Sequence, residues 1–145
     1  GRIIELLLMI CYFGFLALII MIRVFSVSKV NFHRIQGAIV VYILFGLTFS
    51  FIYMLINKIN HGAFNISDVV AQSSQQNEYK FVYFSFITLC TIGYGDITPV
   101  SNVAQSIAML EAILGILFPA VLIARLISLP KEETINDSAK DKQQS

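Results

Sequence analysis

From Ala38 to Asn57 the chain carries no charged side chain, and that run constrains its fold more than any other feature. About 20 helical residues, each rising 1.5 Å, cover a hydrocarbon core of roughly 30 Å. Two further runs read the same way: Leu6 to Ile22 is free of charge, and Asn102 to Ile127 is interrupted only by Glu111 and Arg125. Composition agrees, with 57% hydrophobic and 13% charged residues and a mean hydropathy of +0.75, far from an ordinary soluble domain. The sequence is that of a membrane protein.

The N-terminal run invites comparison with a secretory signal, but it is too long for the usual apolar region. Glu5 stands where positive charge is expected, and no small-residue cleavage site follows Ile22. It is read as a transmembrane helix over 3–25. A net charge of +1 and the lack of any Lys/Arg cluster exclude a nucleic-acid footprint. Cys11 and Cys90 lie in apolar stretches without metal-ligand spacing and are expected to be buried thiols. His33 and His61 are isolated, with no metal partners at suitable spacing. No nucleophile-base pair or phosphate loop is present, so nothing supports an enzyme, and no cofactor is expected.

Charge sets the topology. Arg23, Lys29 and Arg34 lie between the first two helices, and Arg125, Lys131, Lys140 and Lys142 at and beyond the end of the third. The positive-inside rule puts both groups in the cytoplasm. An even number of crossings must then separate them, and 37–57 and 102–129 already supply two. The apolar stretch Phe81 to Thr91 between them cannot cross, since 11 residues make a helix of only about 16 Å. It must enter and return, which non-helical backbone does at membrane depth only where protein surrounds it or water fills the space it lines. Parity also puts Gly1 outside, so an upstream helix returning the terminus to the cytoplasm is expected.

The returning segment contains Thr91-Ile92-Gly93-Tyr94-Gly95-Asp96. Two glycines around one tyrosine allow positive φ at alternate positions, because glycine lacks the Cβ that forbids it. Such a backbone turns successive carbonyls to one side. This hexapeptide, behind a short apolar helix and between two spanning segments, resembles the selectivity filter of the tetrameric potassium channels, whose loop reads Thr-Val-Gly-Tyr-Gly. The resemblance covers about two thirds of the chain.

It implies an all-α membrane protein: an outer helix over 37–57, an extracellular link over 58–78, a re-entrant pore helix over 79–90, a filter over 91–96 and an inner helix over 102–129. One additional N-terminal transmembrane helix, a cytoplasmic linker over 26–36 and a disordered cytoplasmic tail over 130–145 complete the chain. By the same resemblance K+ would bind at Thr91, Ile92, Gly93, Tyr94 and Gly95. Three identical subunits would join this one in a four-fold homotetramer, in the cell membrane. Asp96, Tyr83, Phe84 and Glu111 would support the filter. Many members carry two tryptophans where this chain has Tyr83 and Phe84, and some an acidic residue where it has Ile87. Tyr83 retains a donor for Asp96, whereas Phe84 has none.

In the inner helix Gly115 and Pro119 form one candidate gating hinge, because Pro119 has no N–H for the Gly115 carbonyl. Close packing at Gly115 with a static kink at Pro119 is the other reading. Ile116, Ala120, Ile123 and Ile127 share one helical stripe, fit either for a pore lining or for packing. Glu111, a carboxylate inside a spanning segment, needs a partner, and is expected to hydrogen-bond the rear of the pore loop or to be protonated there. No helix repeats arginine at every third position, so no voltage sensor is expected. Asn65-Ile66-Ser67 is a glycosylation sequon in the extracellular link. Three functions stay open: a potassium-selective channel, a less selective cation channel, and a non-conducting modulatory subunit.

Overall fold

A computed structural model describes residues 1–26, 32–68, 70 and 79–127. The described elements run α1 (Arg2–Ser26), α2 (Phe32–Ile59), β1 (Phe64–Ile66), α3 (Tyr79–Leu89), β2 (Ile97–Pro99) and α4 (Asn102–Ile127). Helices α1, α2 and α4 are each long and apolar enough to cross a membrane. Their surfaces fit that role, since Leu8, Phe15, Ile39, Met109 and Leu117 are all exposed. In a bilayer an exposed apolar side chain meets lipid rather than water, and every backbone group is satisfied within the helix.

Two buried clusters hold the helices together, one toward each end. At the first, Val24 of α1, Ala38 and Val41 of α2 and Phe118 of α4 are buried together. The Arg125 guanidinium lies 5.4 Å from the centroid of the Phe25 ring, so the C-termini of α1 and α4 share this end. At the second, Phe49 and Tyr53 of α2 pack with Phe64 of β1, Phe81 and Phe84 of α3, Ile97 of β2 and Ala104 of α4. The Phe84 ring meets Tyr53 edge-on at 4.9 Å and Phe64 at 5.6 Å. Contacts of this geometry add about 0.5–1.5 kcal/mol each beyond the area they bury.

Helix α3 starts at the second end and points inward. Lys80 and Phe81 line a cavity of about 460 Å³ with Arg2, Met54, Lys58 and His61. Nine residues after Lys80, Leu89 touches Tyr42 and Gly115, well along α2 and α4. Seven residues further, the Asp96 carbonyl accepts a hydrogen bond from Ser67 N–H at 2.9 Å. The chain has therefore returned to the end where α3 began.

Several boundaries differ from the sequence expectations. The fold is mostly helical, but β1 and β2 pair antiparallel, Phe64 opposite Pro99 and Ile66 opposite Ile97. Val100 and Ser101 N–H extend the pairing to the Ala63 carbonyl, at 2.8 and 3.2 Å. Helix α2 begins at Phe32 rather than 37, taking in half of the expected linker. Its added turns are not apolar throughout, but no Pro or Gly lies before Gly37 to stop them. Cys11 and Cys90 are exposed on the chain, not buried: apolar neighbours on the spanning α1 face lipid as readily as a core, and Cys90 directly precedes the exposed residues 91–95. Lys29, the expected tail 130–145 with Lys131, Lys140 and Lys142, and the last two residues of the expected inner helix lie outside the described residues.

Candidate functional site

The last turn of α3 dictates how the segment after it starts. Ile92 N–H bonds the Ile87 carbonyl at 2.8 Å and Thr91 N–H bonds the Thr88 carbonyl at 2.9 Å. These are the two bonds of a Schellman cap, which requires left-handed backbone at the residue after the cap. That residue is Thr91, and its φ is +58°. A β-branched side chain in this region costs on the order of 1–3 kcal/mol, so the surrounding bonds hold it there.

The left-handed backbone then recurs at every second residue, with φ of +56° at Gly93 and +80° at Gly95. A Cβ built on either glycine meets nothing within 4 Å in the single chain. Backbone conformation, not clearance, therefore calls for glycine at both. In an extended strand successive carbonyls point to opposite sides, whereas alternation of left- and right-handed residues brings them to the same side, with the N–H groups on the other. Residues 91–95 are all exposed on the single chain, Ile92 and Tyr94 by 52% and 69%.

The outer end of this loop is tied at Asp96. Tyr83 donates to Asp96 Oδ2 at 2.8 Å, and Asp96 Oδ1 accepts from Ile97 N–H at 3.1 Å. The Tyr83 and Tyr94 rings lie parallel with centroids 6.5 Å apart. The hydrogen bond to Asp96, followed by burial and the Asp96 charge, raises the Tyr83 phenol above its ordinary value. Phe84, where many members of the family carry the second tryptophan, packs instead against Tyr53 and Phe64. Ile87 is buried.

Behind α3, Glu111 is fully buried. Its Oε2 lies 2.5 Å from the Tyr53 hydroxyl and its Oε1 2.5 Å from the Ser85 hydroxyl. Ser85 Oγ is also 2.7 Å from the Gly46 carbonyl oxygen, which in addition accepts from Ser50 Oγ at 2.6 Å. One turn beyond Ser85, the Leu89 carbonyl accepts from Tyr42 at 2.9 Å. Gly115 presses on the same peptide: a Cβ there would collide with Leu89 O and stand 2.9 Å from its carbonyl carbon. Close approach thus accounts for this glycine. Pro119 sits one turn on, inside α4. Ile116, Ala120, Ile123 and Ile127 are exposed along α4. Among the described residues no group of His, Cys, Asp and Glu is arranged to hold a metal ion.

Tyr42, Gly46, Tyr53 and Ser85 were not singled out in the sequence. Ser85 had a signal, as the one serine inside the apolar α3 run, on the helix expected behind Glu111.

Three helices long and apolar enough to cross a membrane, with a half-length helix packed against two of them, fit an integral membrane protein. The family model described as Ion channel matches residues 54–132. Protein LctB of Bacillus caldotenax is 30% identical over 107 residues, 73% of this chain and 79% of its own length. Two-pore potassium channel 3 of Arabidopsis thaliana is 39% identical over 62 residues, 41% of this chain and 14% of its own. Calcium-gated potassium channel TvoK of Thermoplasma volcanium is 40% identical over 47 residues, 32% and 14%. No solved structure matches the chain. The chain belongs to the Ion channel family.

Proposed function

We propose that four copies of this chain assemble around one axis in the cell membrane and conduct K+ passively and selectively. The observation that carries the reading is positive φ at Thr91, Gly93 and Gly95 in alternation. Four such loops facing one axis would present rings of carbonyl oxygens from Thr91, Ile92, Gly93 and Tyr94, with the Thr91 hydroxyl at the inner end, in place of the water around K+. Helix α3 would aim its C-terminal partial negative charge at the ion path below them. Two relatives are named as potassium channels.

Exposure supports assembly. Residues 91–95 are open on the single chain, and non-helical backbone at membrane depth must be surrounded by protein or line water. A closed ring of identical subunits satisfies both requirements at once. In that ring α2 is the outer helix, α3 the pore helix and α4 the inner helix, with the exposed α4 stripe at Ile116, Ala120, Ile123 and Ile127 lining the inner cavity. Gating would bend α4 near Pro119.

Vesicles containing the purified chain and loaded with K+ provide the test. Barium-sensitive K+ efflux, absent with Gly93→Ala, is the expected result. Equal Na+ efflux would identify a less selective cation channel, and no flux from a folded tetramer a modulatory subunit.

A further inference from the structure

The oxygen atoms around Glu111 outnumber the hydrogens that their hydroxyls can supply. Four close oxygen–oxygen contacts link three elements: Tyr53 to Glu111, Ser85 to Glu111, Ser85 to the Gly46 carbonyl and Ser50 to the same carbonyl. At separations of 2.5 to 2.7 Å, two oxygens attract only with a hydrogen between them; otherwise their lone pairs repel. Tyr53, Ser50 and Ser85 each bring one hydroxyl hydrogen, and a backbone carbonyl brings none. One contact is left without a hydrogen, and the only group in the cluster able to provide it is the carboxyl of Glu111.

A single assignment satisfies all four. Ser50 and Ser85 both donate to the Gly46 carbonyl, Tyr53 donates to Glu111 Oε2, and Glu111 donates from Oε1 to Ser85 Oγ. If Glu111 were ionised, Ser85 would have to abandon either α2 or α4. The ionised group would also be a fully buried charge whose hydrogen-bond partners are two neutral hydroxyls, a costly arrangement in a protein interior.

We propose that Glu111 is held as a neutral carboxylic acid which donates to Ser85 and accepts from Tyr53, and that this tie positions α3 between α2 and α4. Ser85 is one turn before Leu89, the residue against Gly115, and Thr91 begins the loop two residues later. Glu111 thereby acts on the loop through α3, as a positioning residue. The tie does not depend on which ion the loop passes.

Infrared spectroscopy of the reconstituted wild-type protein at neutral pH tests the proton directly. A carbonyl stretch of a protonated carboxylic acid is expected, shifted by isotopic labelling of glutamate and resistant to rapid deuterium exchange. It should vanish in Glu111→Gln. That variant keeps a donor toward Ser85 and an acceptor toward Tyr53, and its amide brings one N–H more than the single O–H of the acid. It should assemble, keep its ion flux and melt between the wild type and Glu111→Ala, because the second N–H is buried without an acceptor, whereas Glu111→Ala should lose both stability and flux. A spectrum with carboxylate bands only would overturn the proposal, and so would a Glu111→Gln protein that fails to assemble or is as damaged as Glu111→Ala.

Discussion

Replacing Gly115 by alanine separates close packing from hinge freedom more sharply than any other single change. An added Cβ would overlap the Leu89 carbonyl oxygen and stand 2.9 and 3.2 Å from the Leu89 carbonyl carbon and Cα. These are backbone atoms, so no rotamer change relieves the clash. Leu89 is fully buried, and its carbonyl is held from the other side by Tyr42 at 2.9 Å. Either α4 or the end of α3 must move, at an overpacking cost of about 1–3 kcal/mol. Movement of α3 carries Thr91 with it and disturbs the loop. Gly115→Ala should therefore lose about 1–3 kcal/mol in reversible detergent unfolding and lose K+ flux in the same samples. A pure hinge would leave stability unchanged and alter only open probability in single-channel records. Wild-type stability in Gly115→Ala would refute the packing argument.

Thr91→Gly removes the Cβ from a residue at φ +58°; it should be as stable as the wild type or up to about 1 kcal/mol more so, offset by the entropy of glycine. Its K+ over Na+ preference should nevertheless fall, because the hydroxyl proposed at the inner end is gone. A Cβ at Gly46 would stand 2.7 and 2.8 Å from Phe86 ring carbons. Gly46→Ala should cost about 1–3 kcal/mol and Phe86→Leu should recover part of it, a coupling that a double-mutant cycle measures. Tyr83→Phe removes the donor to Asp96 and should hasten the decay of macroscopic K+ current. Because the Tyr83 phenol is raised from 10.0 in the folded chain, its contribution is complete below pH 10 and is lost as pH rises through the higher folded value. Current stability should be flat through the neutral range in the wild type, and the alkaline loss absent in Tyr83→Phe.

The parts of this architecture written in local chemistry were readable before any coordinates. A charge-free run announces its own helix. The 11-residue length of the apolar stretch Phe81 to Thr91 ruled out a crossing. Gly93 and Gly95 signalled positive φ because glycine tolerates it, but Thr91 did not. Its left-handed backbone is imposed by the cap on α3, a bond pattern that involves Ile87 and Thr88 and leaves no mark on Thr91 itself. Strands of three residues, Phe64–Ile66 and Ile97–Pro99, are too short for an alternating pattern, and their pairing joins segments some thirty residues apart.

Glu111 was conspicuous as a buried carboxylate, yet its partners were hidden. Tyr53 and Ser85 are ordinary residues on two other helices, and only the packing of α2 and α3 against α4 brings them to it. Exposure was misread for Cys11, on α1, for a related reason. Hydropathy reports that a residue avoids water and does not distinguish a protein core from lipid.

The central claim is that residues 91–95 line a potassium-selective pore, and the reversal potential under bi-ionic conditions tests it most directly. With the purified chain in a planar bilayer, K+ on one side and an equal concentration of Na+ on the other, the current should reverse far from zero, in the direction set by K+ leaving its own side. A reversal potential at zero would mean that the loop does not distinguish the two ions, and would contradict the account.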